Sequence, residues 1–515
     1  MKHKDDLFQL VKSLEQTEKR YFRLDAGWHT IGDKNNYLQL FEIINQQKKY
    51  DEQEVRRKLH SGSSAVYLAE TKYYLQKQIL KSLHRYHAGS SVDAQLNEQL
   101  HLAEVLQKKG LIAFCLNVLE KAKKKALYYE KFHHLIEITK WENDIFLAEP
   151  TKSAQENKIR INNRLAEDSL EKLKVIGKFR FYNSVIGLMT KKQAILRNRK
   201  DLAKLEAIIK DPLFRNEKKA TSYEAKVYYL RTKSIYYFIK SDFRNSSKYG
   251  SLLVKMIESR SFLIRERPGF YISALHNYVI SLNSLKHFSD ATAQIKKMRE
   301  TALLLKYDES FQMRIFTRSL SLELHMCIEA GEFKKGVLLV PGFEKELVRF
   351  ELKMDSAFKY FIYYEMAYLY FGVGEYSTSL RWLNKILSAY SGNVVSDIYI
   401  FTKIMHLIAH FELKNYDILK YLVKSIYRLL RKKKRLYKIE SILLAFIRNK
   451  QELNTKSKGK NARAFEELRQ KLLDASTKPS EQKALSYFDF ISWLESKITN
   501  RPFAEVVKGK VKHTN

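Results

Sequence analysis

The chain contains few of the residues that interrupt helices or form disulfides. Among 515 residues there are only 6 prolines, 17 glycines and 2 cysteines. So few helix breakers, with long stretches rich in leucine, lysine, glutamate and alanine, predict an all-α protein. The two cysteines, Cys115 and Cys327, lie far apart within apolar helical patterns, so we expect buried free thiols rather than a disulfide.

Long hydrophobic runs are also missing. No apolar segment reaches the roughly 18 to 20 residues that span a bilayer, and the best candidate, 358–374, is interrupted by Lys359 and Glu365. The start of the sequence places Asp5 and Asp6 where a secretory signal needs apolar residues. We therefore expect a cytoplasmic protein that does not insert into membranes.

Familiar catalytic motifs are lacking as well. The sequence has no GxxxxGK[ST] phosphate loop and no GxSxG elbow. His406 and His410, at i and i+4, could share a zinc ion, but Leu407 stands where a metalloprotease helix carries its glutamate. We therefore predict no enzymatic activity, no cofactor and no metal site.

The other neighbouring histidines receive the same interpretation. His84 and His87, and the adjacent His133 and His134, have no nearby cysteine or matched acidic set. Adjacent side chains are expected to point to different sides of a helix. Surface or partly buried histidines are therefore the expectation for both pairs.

What the chain does contain is a recurring short polar turn that ends in an aromatic ring. Its five copies read SDF, KHF, GEF, GEY and KNY, and they end at Phe243, Phe288, Phe333, Tyr376 and Tyr416. The near-constant spacing of these five rings is typical of an array of helical hairpins.

The residues around these rings repeat at helical offsets. Thirteen residues before the ring stand Leu230, Leu275, Leu320, Tyr363 and Lys403, and six before it Tyr237, Leu282, Cys327, Tyr370 and His410. Seven and ten residues after it stand Gly250/Leu253, Ile295/Met298, Val340/Phe343, Leu383/Ile386 and Val423/Ile426. This register predicts two amphipathic helices for each unit and makes His410 a packing residue.

A small residue stands three positions after the ring in four of the five units: Ser246, Ala291, Gly336 and Ser379. A side chain of this size lets the two helices of a hairpin approach each other closely. The unit at Tyr416 departs from the pattern, because Leu419 stands at the small position and Lys403 at an apolar one.

The unit at 361–387 resembles a tetratricopeptide repeat, with Gly374-Glu375-Tyr376 in the turn and leucines along the second helix. The unit around Phe288 is similar. The resemblance implies an α-solenoid of stacked hairpins that binds a protein or peptide partner along a groove lined by the first helices. The spacing of the rings is longer than the repeat period of that family, which implies longer helices or linkers.

Four regions are expected along the chain. Residues 1–90 should form an N-terminal helical bundle, 91–220 helical hairpins and long charged helices, 221–450 the repeat array, and 451–515 a basic linker with C-terminal capping helices. Within the bundle we expect helices at 6–24, 37–48, 51–59 and 63–86.

Several interruptions are expected further along. The charged segment 153–198 should form one long helix or two helices that are separated near Gly177. Pro341 should shorten or kink its helix. Residues 450–461 are expected to form a loop, and the tail after Pro502 to be frayed.

The rhythm of 40–80 also allows a helix-turn-helix that contacts DNA. In that interpretation the helix 63–86 would present Lys72, Lys77, Lys81 and Arg85. A plain bundle with short helices and polar turns is the alternative, because such a bundle shows the same pattern.

Acidic residues are scarce relative to basic ones. With 93 Lys and Arg against 57 Asp and Glu, the formal net charge is +36. Residues 428–471 contain 15 basic and 4 acidic side chains, including the run Arg431, Lys432, Lys433, Lys434 and Arg435. Such a surface can bind nucleic acid or another polyanion, or an acidic protein partner, or it can simply form solvated faces.

Overall fold

The computed structural model describes residues 6–28, 36–59, 65–89, 91–148, 153–192, 199–304, 309–350, 354, 356–389, 397–432, 436–449 and 458–512. Within these ranges every regular element is a helix and no strand occurs. The prediction of an all-α protein is confirmed. No helix in the described part of the chain combines the length and hydropathy that a membrane span requires.

The chain divides into two compact units, 1–173 and 174–515. The first unit contains α1 Asp6–Ser13, α2 Gln16–Trp28, α3 Asn36–Gln46, α4 Glu52–Lys58, α5 Ala65–His87, α6 Val92–Lys108, α7 Ile112–Tyr128 and α8 Phe132–Ala148. The unit boundary falls within α9, Ser153–Lys192.

The second unit begins with α10 Arg199–Lys210, α11 Pro212–Arg215, α12 Tyr223–Ile239, α13 Phe243–Glu258, α14 Ser261–Glu266, α15 Pro268–Ser284, α16 Phe288–Leu304, α17 Glu309–Glu329 and α18 Phe333–Phe350. It continues with α19 Ser356–Gly372, α20 Tyr376–Ala389, α21 Asp397–Glu412, α22 Tyr416–Lys432 and α23 Lys438–Asn449. The C-terminal helices are α24 Lys458–Ser476, α25 Pro479–Gln482, α26 Phe490–Thr499 and α27 Phe503–Lys512.

Helices α1 to α5 form one N-terminal core around Leu40, Phe41 and Ile44, all of which are fully buried. The single helix expected at 6–24 is in fact two, α1 and α2. The break has a local cause: Glu15 precedes α2, and its backbone N–H donates to the Glu18 carboxylate at 2.8 Å. This bond is the half of a capping box in which the third helical residue reaches back to the N-cap, and it marks the start of a new helix.

The long charged segment is one helix of 40 residues, α9, so the break expected near Gly177 is absent. A Cβ added at Gly177 would meet no atom within 4 Å, so no close packing requires the glycine there. An isolated glycine costs a helix only about 1 kcal/mol, and a helix of this length tolerates it.

The five polar turns share one backbone geometry. The first residue of each triplet has a positive φ: Ser241, Lys286, Gly331, Gly374 and Lys414. The N–H of the next residue donates to the carbonyl six positions before the ring, as from Asp242 to Tyr237 at 2.9 Å. This bond pattern is the Schellman ending of a helix, and the ring is the first residue of the next helix.

The same ending occurs twice in the first unit, at Gly110 and at Glu130. The turn at Gly110 agrees with the helical hairpins expected within 91–220, whereas the turn at Glu130 has no glycine to indicate it. It joins α7 to α8, which begins at the aromatic Phe132. Three antiparallel helices, α6, α7 and α8, therefore follow one another in this unit.

The small position after the ring contacts the first helix of the same hairpin directly. Ser246 Oγ donates to the Ser234 carbonyl at 3.0 Å, and Ser379 Oγ to the Ala367 carbonyl at 2.8 Å. At Gly336 an added Cβ would lie 3.2 Å from Cys327 Cβ in α17 of the same hairpin, and 2.4 Å from Leu369 in α19, the first helix of the next hairpin. The expectation that a small residue permits close approach is therefore confirmed.

In the second unit, the two helices of a hairpin pack on each other and the second packs on the first helix of the next hairpin. The first helices α12, α15, α17, α19 and α21 also contact one another in that order. Helices of 14 to 21 residues account for the long spacing between successive turn rings. The short helix α14 also lengthens the segment after the first hairpin.

The C-terminal segment 487–512 packs against the last hairpins. Phe503 lies 5.5 Å from the Phe333 ring and 6.0 Å from Phe488, measured between ring centroids. A Cβ on Gly331 would lie 2.6 Å from the Lys508 backbone nitrogen. The expectation of a frayed tail is wrong, because α27 buries Phe503, Val506 and Val507.

Two further expectations concern helix ends. Helix α18 runs through Pro341 to Phe350, so the proline does not shorten it. Of the loop expected at 450–461, residues 450–457 lie outside the described residues, and 458–461 belong to α24.

Candidate functional site

The turn aromatics serve the hairpin packing. Phe333 is fully buried, and the rings of Phe243, Phe288, Tyr376 and Tyr416 are half-buried. Leu230, Leu275, Leu320 and Tyr363, thirteen positions earlier, are also buried. Each half-buried ring begins the second helix of its hairpin.

Only part of the basic run can be placed. Arg431 and Lys432 are exposed at the end of α22. Lys433, Lys434 and Arg435 lie outside the described residues. The run therefore supplies two solvated charges at a helix end, which is also where basic side chains favour the helix dipole.

The four basic residues proposed to face DNA on α5 divide into two pairs. Lys72 lies 2.9 Å from the Glu52 carboxylate, and Arg85 lies 2.9 Å from that of Asp25. Lys77 and Lys81 are exposed. Half of the expected basic surface of α5 is thus engaged within the bundle.

Lys77 and Lys81 share a face of α5 with apolar and aromatic side chains. Tyr73 and Tyr74 are 70% and 48% exposed, and Leu80 is 51% exposed. Together these side chains line a shallow surface groove.

A second basic surface lies on three successive first helices, α12, α15 and α17. It consists of Arg231, His276, Arg314 and Arg318, which we call the arginine face. Arg231 lies over the Phe270 ring at 4.8 Å, and Arg318 donates to Ser273 Oγ at 3.3 Å.

The positive groups of the arginine face perturb one another. Burial lowers the pKa of Arg231, and the charge of Arg318 lowers it further. Burial likewise lowers the pKa of His276 to about 3, with Arg318 and His325 contributing. His276 is therefore neutral at pH 7, whereas the guanidiniums keep their charge.

No ion pair joins Arg231, Arg314 or Arg318 to a carboxylate within the described ranges. Nearby acids are already engaged. Glu224 lies 2.9 Å from both Arg180 and Arg267. The arginine face therefore carries an excess of positive charge.

Its other side is occupied by a buried acid. Glu365 accepts a hydrogen bond from Ser321 at 2.9 Å and lies 3.5 Å from His325 Nδ1. Burial raises the pKa of Glu365. For His325, burial lowers the pKa, but the contact with Glu365 and nearby acids raise it, and the net shift is upward. The Glu365 carboxyl and the His325 imidazole therefore contact each other beside the arginine face.

Repeat register relates the arginine face to the surface under the C-terminal segment. Fifteen residues before the ring stand Arg318 in α17 and Phe401 in α21, and twelve before it Arg231 in α12 and Tyr364 in α19. Phe401 stacks on Tyr487 at 4.2 Å, and the Tyr364 hydroxyl donates to the Tyr487 carbonyl at 2.9 Å.

The covering segment is not helical at this point. Residues 487–489 lie between two helical elements, and the Asp489 N–H donates to the Tyr368 hydroxyl at 2.9 Å. Farther along, Trp493 donates to Glu412 at 2.6 Å. In the last two hairpins, the first helices thus contact a short interhelical turn through the same register positions.

The histidine pairs differ from each other. His406 and His410 rings lie 4.5 Å apart, and the Asn415 side chain contacts His410 Nδ1 at 3.0 Å. Burial lowers the pKa of His406 to about 4, helped by the charges of His410 and Lys403. Both rings are half-buried packing groups in the last hairpin.

The interpretation of His133 and His134 as surface or partly buried histidines that face different sides, without a matched acid, is wrong, since His134 is buried. Their ring centroids lie 4.0 Å apart, and both approach Asp93, which comes from α6. The cause is the turn at Glu130, which sets the start of α8 beside the start of α6. His84 and His87 are exposed, as expected.

Cys115 and Cys327 are free and buried, which confirms that expectation. Comparison with known proteins adds no relative: no protein-family model matches the chain, and a search of curated proteins finds no match.

Proposed function

We propose that the chain is a non-enzymatic, tetratricopeptide-like solenoid scaffold that binds an acidic peptide segment of a protein partner on its arginine face. The observation that carries this proposal is the unneutralised positive charge of Arg231 in α12 and of Arg314 and Arg318 in α17, two first helices on either side of α15. Guanidinium groups pair with carboxylates through two parallel hydrogen bonds, so an acidic extended segment suits them.

The C-terminal segment supports the mode of binding. At the last two hairpins, the interhelical turn at Tyr487 contacts the register positions that Arg231 and Arg318 occupy in earlier hairpins. An external segment would lie on the first helices in the same manner. Arginine in place of the aromatic groups would change the preference from tyrosine to carboxylate.

Titration of a labelled peptide measures this function. The peptide should alternate glutamate and serine and carry one tyrosine, and its fluorescence anisotropy should rise on binding the full chain. Arg231→Gln with Arg318→Gln should raise Kd by roughly 10- to 100-fold, because two charged hydrogen-bonding groups are lost.

The matched control is Lys334→Gln with Lys345→Gln, which removes the same charge from exposed positions of α18. It should change Kd by less than about threefold at physiological salt, where distant exposed charges are screened. Equal effects of the two double variants, or no binding of the peptide, would contradict the proposal.

A nucleic-acid-binding regulator is the second candidate, and the exposed face of α5 favours it. Tyr73 and Tyr74 could stack on bases beside Lys77 and Lys81. An oligothymidylate should then bind, and Lys77→Gln with Lys81→Gln should weaken it while Arg231→Gln does not. This candidate would be excluded if the oligothymidylate binds more weakly than the peptide and if Lys77→Gln with Lys81→Gln does not change its affinity.

A further inference from the structure

Two helix starts meet in the first unit and bring three possible metal ligands together. Asp93 is the second residue of α6, and His133 and His134 are the second and third residues of α8. One ligand atom from each lies within 4.8 Å of the other two. The closest approaches are 3.7 Å, from Asp93 Oδ1 to His133 Nε2 and to His134 Nδ1.

The orientation of His134 is fixed by its other ring nitrogen. His134 Nε2 lies 2.9 Å from Asn97 Oδ1, one turn along α6 from Asp93. Because an amide oxygen can only accept, the proton belongs on Nε2 and the lone pair on Nδ1. An oxygen that fixes the tautomer in this way is a usual companion of a metal-binding histidine.

The two atoms that face each other are both without partners. His134 is 2% exposed, and neither its Nδ1 nor Asp93 Oδ1 has a hydrogen-bond partner. Two buried acceptors pointing at the same place repel each other, so they need a proton or a cation between them.

Lys131 limits how the carboxylate can be used. Its ammonium lies 2.5 Å from Asp93 Oδ2, which leaves only Oδ1 for a further ligand. Its charge also repels a divalent cation and should reduce the affinity. His133 is exposed, so the cluster can be reached from solvent.

We propose that Asp93, His133 and His134 bind a divalent first-row transition-metal ion such as Zn²⁺. Two imidazoles and one carboxylate suit zinc and its neighbours, whereas Mg²⁺ and Ca²⁺ prefer oxygen ligands. Ligand atoms around tetrahedral zinc are about 3.3 Å apart, so closing the present 3.7 Å separations requires only small side-chain movements.

Zinc titration of the full chain, followed by calorimetry, tests this assignment. His133→Ala should weaken one binding event by more than about tenfold without unfolding the protein, since His133 is exposed and its loss opens no core cavity. Asp93→Asn should also weaken it. The matched control is His101→Ala, which removes another exposed histidine of the same unit, 78% exposed at its side chain.

Two further readings distinguish a specific site from general histidine affinity. Co²⁺ should give a visible absorption that is lost in His133→Ala and kept in His101→Ala, and Mg²⁺ should not compete. Zinc binding that is unchanged by His133→Ala and Asp93→Asn would overturn the proposal, as would the absence of any zinc binding. In those outcomes a proton, not a metal, joins His134 to Asp93.

Discussion

Replacing Gly331 by alanine should destabilise the second unit more than the same replacement at Gly374. Both glycines are the left-handed residue of a Schellman turn, with φ of +69° and +85°. An alanine in this conformation costs about 1–2 kcal/mol at either site. The decrease in unfolded-state entropy that alanine brings is also common to both sites and cancels in the comparison.

The two sites differ in what surrounds them. Nothing lies within 4 Å of a Cβ at Gly374, whereas at Gly331 it would lie 2.6 Å from the Lys508 nitrogen and 2.9 Å from its Cα. Backbone cannot rotate away, so α27 must shift, and overpacking of this kind costs about 1–3 kcal/mol. By this overpacking cost, Gly331→Ala should lower the free energy of unfolding by about 1–3 kcal/mol more than Gly374→Ala.

Urea denaturation with tryptophan fluorescence would measure the difference, because Trp493 is buried in α26, the helix that packs on α27. Trypsin provides an independent reading, since displacement of α27 should accelerate cleavage at Lys508 and Lys510. If the two variants have the same free energy of unfolding and the tail is cleaved at the wild-type rate, α27 does not pack on this turn.

Three further predictions follow from the hairpins. Lys414→Gly should raise the free energy of unfolding by about 1 kcal/mol by relieving a left-handed lysine, whereas Lys420→Gly within α22 should lower it by a similar amount; equal signs in urea melts would contradict this. Ser379→Val should cost about 1–3 kcal/mol more than Ser379→Ala, because it forces α19 and α20 apart; similar melting temperatures would refute it. The pKa of His406 is lowered to about 4 in the folded protein, so the unfolded chain takes up a proton first as pH falls below 6.5. Stability should therefore decrease from pH 6.5 to 4. His406→Gln should flatten that decrease, and an unchanged pH profile would argue against it.

The hairpins could be predicted because their determinants are local. The turn triplet, the ring and the small residue lie within a few positions of one another, so one period of sequence carries the whole unit. What the triplet itself did not indicate was the turn type. Lysine or serine occupies the left-handed position in three of five turns, where glycine is the usual signal.

The docked tail could not be predicted in the same way. Phe503, Val506 and Val507 have helical spacing and do indicate an apolar face. Their partners, Gly331 and Phe333, belong to a hairpin turn much earlier in the sequence, and no local rule relates them. The apolar face of such a helix is therefore a better guide to whether it packs on the rest of the protein than its place near the end of the sequence.

The same limit applies to both candidate sites. Register places Arg231 and His276 at one repeat position, whereas Arg318 stands three residues earlier in its own unit, and the spacing alone does not single out these three residues as one surface. Asp93 and His134 lie on α6 and α8, which are separated in the chain by α7. The turn between α7 and α8 has Glu130, not glycine, in the left-handed conformation. Recognising that turn would have set the two helix starts side by side.

The central claim, that an acidic segment lies on the first helices of the early hairpins, can be tested directly by methyl NMR. A spin-labelled acidic peptide should broaden the methyl signals of Ile235 and Ile280, which lie one turn beyond Arg231 and His276 on α12 and α15. Signals of Ile386 and Ile426, in the second helices of the last hairpins, should stay sharp. Broadening that is confined to the last hairpins, or spread evenly over all four residues, would contradict the account.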